Sequence, residues 1–558
     1  MRSTYVPFVF ALLFVPAASA QTDPSLVGTC APRTAVAHLE INNVRARIFN
    51  GAELFWGPDP VGSSRGPGLE IPISSGLSAH FADGLWLGGL VNDEIRVSGS
   101  SYGPYEMWPG PIPKDGVPPQ DCSEYDQFWS LLRSQDLSDP GINERPTSAE
   151  LNWPVDLGAP YVDHDGLPGY SAGNGDKPMM LGDQMHWWLM NDVGNEHTSF
   201  NSNPLGVEVA SSAFAFSHPI LEETIFIRHQ ITNKSLDPIN EMYVGRFLDV
   251  DLGAAFDDYL GTDSTLSLFY FYNADNDDDG NYGEAPPALG LMILEASHSN
   301  GGLPTDTGAP NSQFMTSSVH IYKSGGQNVP YPQDKFMVYN YLQGLQIGGN
   351  PIVEGGTGDN NFGTPTRFAF PGDPVTGTYW SDVNSDGNGT ANTSWDRRGS
   401  ASFGPFDLEP GESATFTFAY VWARGKSNLD SITRLRQVAE KVHAAADALL
   451  SGASFGNSHR FIDNNLPERP QQSFWLDPIF PNPSSDQANL RYSLSLDGVV
   501  EVAIYDVLSR RVTTMDQGLQ SAGRHEVTID TSGLIPGVYS VRLRSNDQAT
   551  TRLLTVVR

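Results

Sequence analysis

Cysteine, lysine and long apolar runs are what this 558-residue chain has little of. There are two cysteines and seven lysines. Two thiols far apart, Cys30 and Cys122, exclude a Cys-rich zinc site and a redox motif, both of which need close spacing or further soft ligands. No stretch after the first twenty residues approaches 18 apolar residues, so no transmembrane segment is expected in the mature chain. Basic residues are also short: 33 against 65 acids leaves a net charge of −32. Such a surface repels nucleic acid and anionic membrane alike, and no nucleic-acid partner is expected. His186 and His197 lack an HExxH frame or a third ligand at usable spacing, which argues against catalytic zinc. Phosphate loops, dinucleotide-binding glycine patterns and internal repeats are missing too.

Glycine and proline, 56 and 41 residues, are abundant and favour turns over long helices. Short alternating runs between turn residues fill the chain. LEI (39–41) and VRARI (44–48) come first, then LWLGGL (85–90) with IRV (95–97). In the middle follow VEVASSAFAF (207–216), IFIRHQI (225–231) and MYVGRF (242–247). Period-two patterning of this kind reads as half-buried strands. A Pro410-Gly411 turn is expected to join two further strands, 406–408 and 416–420, as a hairpin. Tyr125, Phe128, Trp129 and Leu132 predict a short helix. A longer one is expected from Leu429, Ile432, Leu435, Val438, Val442, Ala445 and Leu449, started by Asn428 or Asp430 and ended at Ser451-Gly452. The fold class is therefore mainly β: a large multi-strand β-sandwich body at 30–455, in one or two subdomains, with one packed helix near its end. A linker at 456–472 leads to a small Ig-like β-sandwich at 473–558.

The N-terminus has the form of a signal peptide, residues 1–20. Arg2 precedes an apolar run at 6–15, and Ala18-Ser19-Ala20 before Gln21 supplies the small-residue cleavage site, between Ala20 and Gln21. In an exported chain an even pair of cysteines is most simply one disulfide, Cys30–Cys122, with two unrelated thiols as the alternative. Closing so long a loop stabilises by roughly 4–5 kcal/mol in the chain-entropy treatment.

The last segment carries PNP (481–483), IYDVLSRR (504–511), AGRHEV (522–527), GLIPGVYSVRL (533–543) and RLLTVVR (552–558). In that order these pieces resemble the C-terminal sorting domain of proteins exported by the type IX secretion system of Bacteroidota. Ser509 stands where that family usually has Gly. The resemblance implies passage through the periplasm to the outer-membrane surface or the medium, with the type IX machinery as partner. The body, on LEINNVRARIF (39–49), LGGLVNDEIRV (87–97), GAPYVDHD (158–165), LGDQMHWWLMND (181–192) and DVDLG (249–253), resembles large exported proteins that carry the same domain, a group with no assigned activity.

The local chemistry is acidic. Asp275-Asn-Asp277-Asp-Asp279-Gly fits D-x-D-x-D-G, and Asp382-Val-Asn384-Ser-Asp386-Gly fits D-x-N-x-D-G. Calcium takes six to eight hard oxygens, and alternate side chains of a tight loop can supply several of them. Pro286 and Thr393 occupy the place of an EF-hand's bidentate acid, so remote carboxylates such as Glu284 or Asp396 would have to complete either site; solvated turns are the competing reading. Asp163 and Asp165 form a shorter relative, and Asp249, Asp251, Asp257, Asp258 and Asp263 a further crowded group that needs a cation, protons or water. Gly169-Tyr-Ser171-Ala-Gly173 spells a nucleophile-elbow motif, but its flanks are loop. Trp187, Trp188, Tyr379 and Trp380 are candidates to stack on sugar rings, with core packing as the alternative. Three classes of function follow, other enzymes being the third. One is a structural or adhesive, calcium-stabilised surface protein without enzymatic activity; another is a glycan-binding or glycan-degrading protein that meets surface polysaccharide.

Overall fold

The computed structural model describes residues 35–450 and 475–557. Within the first stretch it omits 60–61, 67, 104–105, 113–121, 134–145, 279–280, 299–313, 323–327 and 360–362; within the second, 477–478, 480–481, 495–497, 507–509, 521–522 and 547. The signal segment with Ala20 and Gln21, Cys30, Asp279, Ser509 and the linker at 456–472 lie outside the described residues.

Alternating apolar residues assemble into two nine-stranded sheets, antiparallel throughout. The first runs Val36–Leu39, Arg45–Phe49, Glu53–Leu54, Ala82–Val91, Ile239–Asp249, Arg398–Leu408, Ser317–Ile321, with Leu69–Glu70 and Glu94–Gly99 as side branches. The second runs Trp129–Leu132, Gln184–Asn191, Val207–Ala215, Thr224–Asn233, Ser413–Ala423, Ala288–His298, Leu268–Asn273, Asp258–Asp263, with Trp108–Pro109 alongside. Their inner faces share one core, to which Leu85, Leu87 and Val244 come from the first sheet and Ile225, Ile227, Phe418 and Leu291 from the second.

Each outer face carries a helix. Asn428–Leu450 lays Ile432, Leu435, Ala439 and Val442 on Phe226, Tyr270 and Met292 of the second sheet. Its start is capped by Ser427, whose hydroxyl accepts the Asp430 N–H at 3.1 Å, and not by the expected Asn428 or Asp430. Lys335–Leu342, capped by Asp334, covers the first sheet. It sits close because two strand positions have no side chain: a Cβ on Gly245 would lie 2.7 Å from Leu342, and one on Gly88 2.9 Å from Tyr339. With both faces covered, Ala82–Val91 is buried at nine of ten positions and reads as a near-continuous apolar run.

Two expectations need correction. Residues 125–128 are turns and Trp129–Leu132 is a strand, because its backbone pairs with Gln184–Trp187; the aromatic spacing that suits a helix face here serves cross-strand packing. The Pro410-Gly411 turn does not close a ladder hairpin. Arg398–Leu408 lies in the first sheet and Ser413–Ala423 in the second, so the turn is an arch from one layer to the other. Thr224–Asn233 and Ile239–Asp249 make a second arch beside it. Asn233 ties them together, donating to the Leu408 and Asp237 carbonyls at 2.9 Å each.

The C-terminal unit is a separate small sandwich. Trp475–Leu476, Gln487–Leu494 and Gly523–Asp530 form one sheet; Arg511–Gln520, Gly498–Tyr505, Gly537–Ser545 and Gln548–Val556 form the other. Leu490, Tyr492, Val502, Ile504, Val541 and Leu543 fill its core.

Candidate metal centre

Acidic side chains gather where strand Ile239–Asp249 ends and strand Asp258–Asp263 begins. The chain turns between them through Gly253, at φ +78°. A side chain there would collide with the Asp278 carboxylate, so glycine lets the segment that carries Asp278 close onto this turn. Asp278 fastens the two, accepting the Ala254 N–H at 2.9 Å on one oxygen and the Tyr282 N–H at 2.7 Å on the other.

Asp258 is fully buried beneath that junction. One of its oxygens accepts the Leu252 N–H at 3.2 Å, and the other, Oδ1, has no hydrogen-bond partner. Burial pushes its carboxyl well above the usual range, and the charges of Asp257, Asp251 and Asp278 push the same way. Asp257, half-buried, also has an oxygen without a hydrogen bond, and burial raises it too, with Asp278 and Asp275 adding to the effect and Asn273 opposing it.

Asp251 belongs to a second group as well. Single carboxylate oxygens of Asp249, Asp251 and Asp396 lie within 4.8 Å of one another. Here a guanidinium already supplies positive charge: Arg398 reaches Asp249 at 2.8 Å and Asp396 at 3.1 Å, and the Tyr102 hydroxyl donates to Asp249 at 2.7 Å.

The motif residues read from the sequence are placed unevenly. Asp163 and Asp165 are brought together with Asp176, their oxygens within 4.8 Å. The short hairpin of Tyr161–Val162 with Lys177–Pro178 returns Asp176 to them, where it accepts the N–H groups of His164 and Ser171 at 2.8 Å each. Asp275 turns back on its own loop, accepting the Asp277 N–H at 2.9 Å, and Asp277 is exposed. Asp278 is the inward member of that run: strand alternation at Asp277–Asp278 sends neighbours to opposite sides. Asp382 is buried and engaged by the Leu260 N–H at 3.0 Å, Asn392 at 2.8 Å and Arg397 at 3.0 Å. Asn384 donates to the Gly377 carbonyl, while Asp386 accepts from Asn388 and Thr390, which hold its carboxyl down at about 2. These three side chains serve three different neighbours. Asp263 leaves the crowd altogether and pairs with Arg436 at 3.3 Å.

Tyr379 is exposed, its hydroxyl donating to Glu354, while the other candidates fall to packing. Ser171 opens a short 3-10 turn, Ala172–Asn174, in a loop, without the strand that a nucleophile elbow needs. Trp187 and Trp188 are buried on the two faces of their strand, and Trp380 packs against Phe370. His186 is buried beside Ser130, and His197 sits between the Val97 and Asp192 carbonyls. The exposed aromatic pair is one the sequence did not single out: Phe256 and Trp395, 59% and 53% exposed, have ring centroids 5.1 Å apart beside the acidic group.

The body of two sheets is thus followed by a seven-stranded sandwich. Residues 478–557 match the family described as the secretion system C-terminal sorting domain. The small sandwich is thus a type IX sorting domain; the protein is exported to the cell surface or extracellular space, and the type IX machinery is its partner. Among the described residues no helix is long and apolar enough to cross a membrane. No curated protein matches the chain. Among solved structures it is similar to one titled a polysaccharide lyase, with 10% identity and a TM-score of 0.18, over 64% of this chain and 34% of that one.

Proposed function

We propose that this is a non-enzymatic surface protein, structural or adhesive, whose body is stabilised by calcium. The observation that carries the reading is the sorting domain at 478–557 joined to a body whose acids crowd into the loops at one strand end. His186, His197 and His229 are hydrogen-bonded inside the core, which withdraws these three as surface bases. Calcium suits an all-oxygen environment better than a transition metal does.

A glycan-binding role is the second reading, favoured by Phe256 and Trp395, whose exposed rings lie beside carboxylates. Affinity electrophoresis of the purified protein through a panel of soluble polysaccharides, with assay for new reducing or unsaturated ends, separates the two. No retardation and no new ends are expected. Retardation that Trp395→Ala abolishes would move the assignment to glycan binding, and new chain ends would move it to glycan degradation.

A further inference from the structure

We propose that the type IX machinery docks on one outer face of the sorting domain, an apolar patch of Val538, Leu553 and Val557 flanked by Arg542 and Arg544. The partner surface it fits is apolar with carboxylates at its rim. The inference rests on the sorting-domain match and goes beyond it by naming the face.

The two outer faces of this sandwich differ. On the sheet that holds Gln487–Leu494 and Gly523–Asp530, outward positions are polar: Gln487 lies opposite Asp530, and Asn489 opposite Thr528, whose hydroxyl donates to it at 2.9 Å. On the other sheet, Gly537–Ser545 and Gln548–Val556 pair Val538 with Thr555 and Ser540 with Leu553. Val538 therefore stands diagonally between Leu553 and Val557 on one face. Their chain neighbours Tyr539, Leu554 and Val556 turn inward to the core, while Val538, Leu553 and Val557 are 44%, 63% and 42% exposed. An outer sheet face is ordinarily polar, and clustered apolar side chains rimmed by charge mark an interaction site.

The face is open where the edge is not. Asn482 donates to the Leu553 carbonyl at 3.0 Å and accepts the Thr555 N–H at 2.7 Å, and the Ser484 carbonyl accepts the Val557 N–H at 2.8 Å. That segment takes the free side of the last strand, so a partner cannot add a strand there. Charge then selects the occupant. Arg542 and Arg544, both exposed, continue from the patch along the same face. A second copy meeting this face about a two-fold axis would bring arginines toward arginines. A carboxylate-rimmed partner pairs with them instead, and the machinery is the partner that the family match assigns to this domain.

The test is export of the full-length chain, scored as the surface and medium fraction against the periplasmic fraction. The same variants are scored in residues 473–558 fused to an unrelated periplasmic passenger. They are Leu553→Glu, Val538→Thr together with Val557→Thr, Arg542→Glu, and Thr528→Glu on the polar face as control. Melting of each purified full-length variant checks the fold. Should Leu553→Glu not fold, the double threonine variant carries the readout, because it keeps β-branched side chains on the strands. Leu553→Glu is expected to lower the exported fraction by about tenfold, and the double threonine variant and Arg542→Glu by about threefold. Thr528→Glu should be exported like wild type. Undiminished export of folded Leu553→Glu, or of the double variant where it stands in, would overturn the assignment. So would an equal loss in Thr528→Glu. A loss seen in the full chain but not in the passenger fusion would give the patch to the acidic body of this chain, which also overturns it. Wild-type export of a chain without residues 473–558 is a different result, and rejects the sorting reading itself.

Discussion

Arg246 and Asp83 form an ion pair between the two sheets, with neither side chain exposed to solvent. Both belong to the first sheet, and both reach the second. Arg246 Nε donates to Asp83 at 2.6 Å and Nη1 to His229 at 3.1 Å, while the Tyr420 hydroxyl donates to the other Asp83 oxygen at 2.7 Å. Because Arg246 donates to His229 Nε2, the imidazole proton sits on Nδ1 and faces Ser211 Oγ at 2.8 Å. Burial favours neutral Asp83, but the guanidinium cannot discharge and holds the carboxylate as its counterion. Asp83→Asn, which strands the buried charge, is expected to cost about 3–5 kcal/mol. Replacing the set together, as Asp83→Leu, Arg246→Met and Tyr420→Phe, should cost less than the single change. Chemical denaturation curves of the two variants give the comparison; a milder single variant would mean that the pair is not the obligate unit described.

Acid sensitivity follows from the same core. Burial first and Arg246 second lower His80 from 6.5 to about 3, and His229 is lowered well below 6.5 for the same reasons. Between those limits the unfolded chain binds a proton that the folded chain refuses, so stability rises with pH. The contribution is complete above about pH 6.5 and is lost as pH falls toward 3, at up to about 1.4 kcal/mol per pH unit for each such histidine. Asp258, raised by burial, has the opposite sign, and its share is lost as pH rises through its folded value. The comparison that isolates one group is His80→Asn against wild type, by urea unfolding at pH 7, 6 and 5. The variant should lose less stability per pH unit; equal slopes would show that His80 charges freely in the fold.

Much of the fold was legible because strand patterning and the long helix are local signals. Leu429 to Val442 repeat at helical spacing and lie on the sheet as expected. What escaped depends on partners distant in sequence. Lys335–Leu342 is short, with buried residues at Val338, Tyr339, Tyr341 and Leu342, so no stripe marks it; Gly88 and Gly245, far away in sequence, make its seat. Arg511–Gln520 is a largely polar edge strand of the sorting domain, and alternation is weak where only one flank is paired. In the candidate centre the D-x-D spacing pointed to Asp275 and Asp277, yet the inward residue is Asp278, because the backbone there is extended instead of looped. Asp176 joined Asp163 and Asp165 only through a hairpin closure, which no spacing rule contains.

The close seat of the helix on the first sheet makes Gly245 sensitive. A methyl group there would meet Leu342 at 2.7 Å, the Ala401 carbonyl at 2.8 Å and Ser402 at 2.9 Å. Two of these neighbours belong to the adjoining strand and cannot retreat without disturbing the ladder. Gly245→Ala is expected to destabilise by about 1–3 kcal/mol through overpacking. Gly283→Ala tests the backbone effect alone, since its φ is +63° and nothing lies within 4 Å of its Cβ position. Melting curves in which the two variants are equally mild would place the helix farther from the sheet than described.

Cys122 is buried against Trp108 and Tyr125, and a bridge to Cys30 would anchor the segment before the first strand. Labelling of the unfolded, unreduced protein with a thiol reagent is expected to find no reactive cysteine, and two after reduction. Two labels before reduction would reject the disulfide.

The sorting domain makes the last prediction, and charge sharpens it. Residues 478–558 hold eight arginines and no lysine against eight acids, a balance of 8 − 8 = 0, so the whole excess of −32 lies outside that segment. An acidic body has no electrostatic attraction of its own to an anionic outer surface. Its delivery therefore depends on recognition of the small sandwich by the type IX machinery. Deletion of residues 473–558 is expected to leave a folded body in the periplasm, found in that fraction and protected from protease added to intact cells. Fusion of residues 473–558 to an unrelated periplasmic protein should carry that passenger outward. Surface or medium levels of the truncated body equal to wild type would show that the signal lies elsewhere in the chain.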